Sequence, residues 1–333
     1  MCFGVRNAPY TFDRLGQALK RHLQSKSIRI IIYYDDILVL ASSYSKCLSD
    51  AQIVVNTLVE LGFYIKLEKC ILSPSQIFFF LGYKWDSLEM TCTLPLEKLE
   101  SIQSLCHAVN TGERVQVKDL QRLLGTIISA RPAVALTRAK SRGIQRMVLD
   151  HFDGSRSSAR KMVRLTKWAR QDVQWWLNVE IADCSMSLKS IPIWESSRLA
   201  TDAMDTAIGS VLEGEVFYEE LTPRMLDHPI SHKEWLAFEL TVTPRLTQLK
   251  GKVVTWHVDN TNVRYAWLNS GSVKDIWLCK RVIAMKEKLF LQKTQVVPVY
   301  VKSAQHLHAD MISRNKVLPD WHLSRQIAER LFH

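Results

Sequence analysis

Two carboxylates stand side by side in an apolar stretch, Ile30-Ile31-Ile32-Tyr33-Tyr34-Asp35-Asp36-Ile37-Leu38-Val39-Leu40. Strand-forming residues on both sides read as a buried β-hairpin with the two acids at its turn. Carboxylates are rarely fully buried without a partner. The pair therefore calls for a counter-charge, and Mg²⁺, a hard cation that prefers carboxylate and phosphate oxygens, would supply one. An ordinary Asp-rich turn would give the same dipeptide. A second set of acids lies far downstream. Asp202 sits in Leu199-Ala200-Thr201-Asp202-Ala203, a strand-and-hairpin segment that includes Gly209 and Gly214. Glu234 begins Lys233-Glu234-Trp235-Leu236-Ala237-Phe238-Glu239-Leu240, which reads as a helix. Asp259 ends the strand Val253-Val254-Thr255-Trp256-His257-Val258. Asp310, in His308-Ala309-Asp310-Met311-Ile312-Ser313-Arg314, opens another helix after the strand Val296-Val297-Pro298-Val299-Tyr300-Val301. In-line phosphodiester hydrolysis needs an activated water and a stabilised leaving oxygen. Two metal ions ~3.5–4 Å apart serve both, and shared carboxylates can hold them there. Like charges that close repel and raise one another's pKa, so such a set is strained without metal.

The elements around these acids carry a resemblance. Tyr33-Tyr34-Asp35-Asp36 matches a Tyr-x-Asp-Asp box. Phe3-Gly4-Val5-Arg6-Asn7-Ala8-Pro9-Tyr10-Thr11-Phe12 precedes it. After it come Leu61-Gly62-Phe63 with Lys66 and Lys69, Ser73-Pro74-Ser75-Gln76 and Phe80-Leu81-Gly82-Tyr83. In this order the segments resemble the reverse transcriptases of retrotransposons. Gly4 permits a close approach of backbone to ligand, and Pro9 fits the first turn of a helix over 9–24. Apolar positions at Leu48, Ala51, Val54, Val55, Leu58 and Leu61 predict a second helix over 46–61.

Strand–helix–strand–helix order with an acid at each strand end or helix start resembles the RNase H domain of the same elements. The resemblance implies that Asp202, Glu234, Asp259 and Asp310 are its Asp-Glu-Asp-Asp quartet. Asp202 and Asp259 would be the central ligands, with Glu234 and Asp310 each completing one Mg²⁺ (or Mn²⁺). One departure stands out: where relatives carry His-Ile-Pro-Gly before the last acid, this chain has Tyr300 and Lys302-Ser303, with His306 and His308 nearby. Asp172-Val173-Gln174-Trp175-Trp176-Leu177 and Asp320-Trp321-His322-Leu323 make the DIRS-type elements the preferred relatives, and gypsy-like elements the second choice.

Composition agrees with a nucleic-acid partner. The 333 residues carry a net charge of +11. Residues 131–170 hold eleven Lys or Arg, opposed only by Asp150 and Asp153. A block of this kind is the electrostatic footprint of a phosphate backbone; a solvated helix face or an acidic protein partner would also account for it. Candidate contacts are Gly4, Tyr34, Arg138, Lys140, Arg142, Arg146, Arg160 and Lys161. Amphipathic stripes at Leu94, Leu96, Leu99, Ile102 and Leu105, and at Val117, Leu120, Leu123, Leu124, Ile127 and Ile128, predict a helical middle. Trp175 and Trp176 could stack on bases, but a core role suits them better. No apolar run reaches the ~18 residues of a membrane span. Seven scattered cysteines without a Cys-x-x-Cys pair argue against a disulfide framework or a zinc site, and suit a reducing intracellular compartment.

The expected fold class is a multidomain α+β and α/β protein. It comprises a partial polymerase palm (1–93), a helical thumb or connection (94–180), a linker (181–198), an RNase H-like domain (199–315) and a C-terminal tail (316–333). The resemblance implies an RNA-directed DNA polymerase with ribonuclease H, acting on an RNA·DNA hybrid, an RNA template and a DNA primer, alongside the rest of a retroelement polyprotein. The family's third polymerase carboxylate lies on a strand before the Phe3-Gly4 segment, as do its fingers. The resemblance therefore implies a chain truncated on its N-terminal side, unable to extend primers alone but able to cleave RNA in a hybrid. A non-catalytic relic, or a host-recruited nucleic-acid-binding protein, is the alternative. A metal-dependent nuclease unrelated to retroelements would explain the quartet but not the Tyr34-Asp35-Asp36 region.

Overall fold

The computed structural model of the protein describes residues 6–189, 196–302 and 312–313. It is a mixed α/β structure with helices and several sheets. Along the chain run α1 (Ala8–Ser25), β1 (Arg29–Tyr33), β2 (Asp36–Leu40), α2 (Tyr44–Glu60), β3 (Ile77–Phe80), β4 (Tyr83–Asp86) and β5 (Thr91–Thr93). A helical stretch follows: α3 (Leu96–Asn110), β6 (Val115–Gln116), α4 (Val117–Ser129), α5 (Arg142–His151), α6 (Arg156–Ala159), β7 (Met162–Val163) and α7 (Lys167–Asn178). Then come β8 (Ser185–Ser187), β9 (Ser197–Ala203), β10 (Ala207–Leu212), β11 (Glu215–Glu220), α8 (Pro223–Leu226), α9 (Ile230–Val242), β12 (Val253–Val258), α10 (Thr261–Asn269), α11 (Ile276–Leu291) and β13 (Gln295–Tyr300). No helix among the described residues is long and apolar enough to cross a membrane.

The chain divides into two compact units. One holds the described residues up to Leu99, with Pro132–Val134 and Glu180–Lys189. In it, β1 and β2 pair as an antiparallel hairpin in the register Tyr33↔Asp36. Leu19 and Leu23 of α1, Ile28, Ile30, and Val54 and Leu58 of α2 form its core. The helix α1 starts where Pro9 costs no hydrogen bond, and α2 is capped by Ser43, whose Oγ accepts from the Lys46 N–H at 3.2 Å. A separate antiparallel sheet runs β3-β4-β5-β8. Residues Ser185–Ser187, in the stretch read from sequence as linker, pair there with Thr91–Thr93. Three residues with alternating small polar side chains carry too weak a pattern to announce a strand.

The second unit holds Glu100–Arg131, Ala135–Val179 and the described residues from 196 onward. Its main sheet has the order β11-β10-β9-β12-β13. The pairs β11·β10 and β10·β9 are antiparallel, while β9·β12 and β12·β13 are parallel. Trp235 and Phe238 of α9, Trp256 of β12 and Trp267 of α10 fill the core with Leu199, Val282 and Met285. The Phe238 and Trp256 rings lie 4.1 Å apart. Replacing such a fully buried aromatic by alanine costs about 3–5 kcal/mol, so this cluster anchors the sheet that carries Asp202 and Asp259.

The helical part of this unit is tied by buried polar contacts. The α5 and α7 backbones approach closely at Gly143, where an added Cβ would lie 2.6 Å from the Ala169 nitrogen. Trp176 is fully buried, as the core reading expects, and its indole N–H donates to the Lys140 carbonyl at 2.8 Å. Trp175 is half-buried beside it.

Candidate metal centre

Three of the four downstream acids converge. One carboxylate oxygen each of Asp202, Glu234 and Asp259 lie within 4.8 Å of one another. The sheet register explains the meeting of the first and third. The parallel strands β9 and β12 align Ala200 with His257. Asp202 and Asp259 each stand two residues further on, at the same end of the sheet. Asn260 then stops the strand and starts α10, its side chain accepting the Asn262 and Val263 N–H groups at 3.0 and 3.2 Å. Asp259 is thereby held between a strand end and a capped helix.

Glu234 arrives from α9. That helix begins at Ile230, one turn before the sequence pattern suggested, behind Pro229. Two contacts hold it. The buried Lys233 ammonium donates to the Asp205 carbonyl at 2.8 Å, in the β9–β10 turn. His232 stacks on Trp277 with ring centroids 4.1 Å apart, and its Nε2 lies 2.8 Å from Asp275 Oδ2.

The electrostatics of this cluster are unfavourable in the bare protein. Burial pushes the Glu234 carboxyl up to about 9, and the charges of Asp202 and Asp259 push the same way. A backbone hydrogen bond from Ala203 opposes the shift without cancelling it. Glu234 Oε2 has no hydrogen-bond partner among the described residues although it is out of contact with solvent. A buried polar atom in that state costs about 1–3 kcal/mol. Three oxygen donors with an unsatisfied buried oxygen fit a hard divalent cation, Mg²⁺ or Mn²⁺.

Two residues to which the sequence reading gave no role at the centre support it. Ser313 Oγ donates to Asp202 Oδ2 at 2.6 Å, and Ser313 is fully buried. Gly209, directly opposite Asp202 in the β9·β10 register, makes room for it. An added Cβ there would lie 2.4 Å from the Ser313 nitrogen. Sequence reading placed Gly209 and Gly214 in a strand-and-hairpin segment without saying which makes the turn. Gly209 lies in the strand, and Gly214, with φ +87, makes the turn. An isolated glycine inside a strand pattern is a signal of close backbone approach, and that signal was available. Asp310, His306, His308 and Gly4 lie outside the described residues.

The upstream acids are placed differently. Asp35 and Asp36 are exposed, as are Tyr33 and Tyr34. The expectation of a buried hairpin is thus corrected: β1 and β2 stand as a two-stranded sheet and put one face on α1 and α2. Exposed to water, Asp35 and Asp36 need no counter-charge. Tyr34 takes a left-handed conformation, φ +53, uncommon for a non-glycine residue. No third acidic, His or Cys ligand joins Asp35 and Asp36 among the described residues.

The basic block separates into two kinds of residue. Arg138 Nη1 donates to Asn269 Oδ1 at 2.6 Å. Arg142 donates through Nε to the Ser270 carbonyl at 3.1 Å, and through Nη2 to the Asn269 carbonyl. Arg146 donates to the Val273 carbonyl at 2.9 Å and pairs with Asp150. Lys140 pairs with Glu287 at 2.6 Å. These four are turned onto the end of α10, its following loop and α11. Arg160 and Lys161 are exposed.

Residues 1–85 match the family model described as reverse transcriptase (RNA-dependent DNA polymerase). The chain is 36% identical over 70 residues to the retrovirus-related Pol polyprotein from transposon 297 of Drosophila melanogaster; the match covers 21% of this chain and 6% of that protein. It is 34% identical over 86 residues to a Gag-Pol polyprotein of avian reticuloendotheliosis virus, covering 24% of this chain and 7% of the relative. The chain thus spans under a tenth of the length of these relatives. Among solved structures, a foamy viral protease-reverse transcriptase in complex with RNA/DNA hybrid is similar with a TM-score of 0.46 at 17% identity, over 91% of this chain and 39% of that one.

Proposed function

We propose that the second unit is a ribonuclease H-type nuclease that cleaves the RNA strand of an RNA·DNA hybrid, within a retroelement reverse transcriptase. The observation that carries this reading is the convergence of Asp202, Glu234 and Asp259 within 4.8 Å. Asp310 is proposed as the fourth ligand on the sequence resemblance. Bound Mg²⁺ or Mn²⁺ would supply a water of lowered pKa and a Lewis acid for the scissile phosphate. Asp202 and Asp259 would be the central residues holding the metal, with Glu234 beside them. Burial raises the Glu234 pKa to about 9, so holding a cation there would favour loss of its proton. The exposed Arg160 and Lys161 are proposed to contact the hybrid's phosphates.

The first unit is proposed to derive from a polymerase palm in which Asp35 and Asp36 are two of the three metal-binding acids. Of the retroelement groups, the DIRS-type elements remain the proposed relatives.

The test is cleavage of a labelled RNA·DNA hybrid with Mg²⁺, comparing the full chain with Asp259→Asn. A metal-dependent cut that falls by orders of magnitude in the variant supports the reading. Equal rates in both would falsify it, and salt-sensitive binding without any cut would favour a non-catalytic nucleic-acid-binding protein instead.

A further inference from the structure

We infer that Ser313 is a positioning residue that fixes the Asp202 carboxylate for metal binding; this rests on the nuclease reading above. Asp202 and Asp259, crowded with Glu234 within 4.8 Å, repel each other. Asp202 could relieve that repulsion by rotating about its side-chain bonds, away from Glu234 and Asp259. The Ser313 hydroxyl opposes this by anchoring Oδ2 at 2.6 Å, a length typical of a hydroxyl donating to an ionised carboxylate. The anchor itself is buried and packed. Ser313 and Ile312 are both buried, and the Ser313 backbone lies against Gly209, the strand residue paired with Asp202. Donor and acceptor are therefore referenced to the same rung of the sheet. A flexible hydroxyl could not impose a direction, whereas this one is held by backbone packing on one side and the strand on the other.

The geometry has a further consequence for the site. With one Asp202 oxygen committed to Ser313, the plane of the carboxylate is set before any ion arrives. Part of the ordering that metal binding would otherwise require of Asp202 is then already in place. Groups of this supporting kind typically change metal affinity or activity by 10–100-fold when removed.

The experiment is a Mn²⁺ titration of the full chain, followed by electron paramagnetic resonance, with melting temperature measured without metal. Four proteins beside the wild type are compared: Ser313→Ala, Ser313→Thr, Ser313→Val and Asp259→Asn. Thr and Val have nearly the same bulk and differ in the hydroxyl. Ser313→Val and Ser313→Ala are expected to bind Mn²⁺ about 10-fold more weakly, while Ser313→Thr stays within about 2-fold of the wild type. If Val binds as tightly as Thr, or Thr weakens as much as Val, the inference is overturned. Should the larger side chains prevent folding, Ser313→Ala decides alone: wild-type affinity in that variant overturns the inference. Failure of the nuclease reading looks different, because the wild type would then take up no Mn²⁺, or Asp259→Asn would bind it equally.

Discussion

The Asp172 carboxylate of α7 accepts the backbone N–H of Gly143 at 2.7 Å and that of Ile144 at 3.3 Å. It serves as the cap of a different helix, α5, and is buried in doing so. Burial raises its pKa to about 7, against the pull of these two hydrogen bonds and of Lys140. The folded state therefore holds a proton that the unfolded chain, with a value near 3.8, releases. This contribution is fully present below pH 4 and is lost as pH rises through 7. Asp172→Asn should flatten the fall in stability between about pH 4 and pH 7, where the slope for one such group approaches about 1.4 kcal/mol per pH unit. Urea melts of both proteins across that range check the sign; a wild type no more pH-sensitive than the variant would contradict it.

Gly209→Ala places a methyl group on the Ser313 backbone. Overpacking of this kind costs about 1–3 kcal/mol. A lowered melting temperature and weaker Mn²⁺ uptake are expected together, because the same shift moves the hydroxyl off Asp202. Gly214→Ala, at the neighbouring turn, should cost stability through its φ of +87 without affecting metal uptake.

Arg142 and Arg160 should separate fold from binding. Arg142→Ala removes the donors to the Asn269 and Ser270 carbonyls, and a loss of about 1–3 kcal/mol in stability is expected. Arg160→Ala with Lys161→Ala should leave the melting temperature unchanged. It should weaken hybrid binding and reduce the slope of log affinity against log salt by roughly 1–2. Fluorescence anisotropy at several salt concentrations distinguishes the two.

Asp35→Asn and Asp36→Asn touch exposed groups. Stability should stay within about 0.5 kcal/mol of the wild type, and hybrid cleavage should be unaffected. A loss of cleavage in either variant would tie the hairpin to the nuclease centre.

The sequence carried some of this plainly and some not at all. Asp202, Glu234 and Asp259 were legible because strand and helix periodicities locate the ends of elements, and acids at such ends meet when parallel strands align. The strand β8 was not legible, since its only distinguishing property is a partner strand far upstream. Charge counting found the basic block, but a count cannot tell a guanidinium facing water from one facing the carbonyls of Asn269 and Ser270. The hairpin misled through its isoleucines. Three in a row suggest burial on both faces, yet Ile31 remains 44% exposed, since no second layer covers that side among the described residues. Ser313 was invisible as a partner of Asp202, because only the folded chain reveals a hydrogen bond between residues so far apart.

That last distance sets an order of events in the life of the molecule. Asp202, Glu234 and Asp259 leave the ribosome well before Ser313 does. The hydrogen bond from Ser313 to Asp202, and the packing of the Ser313 backbone on Gly209, form only once the Ile312–Ser313 segment has been made. The hydroxyl that holds Asp202 is thus the last part of this cluster to be made, after all three acids and after the glycine it packs on.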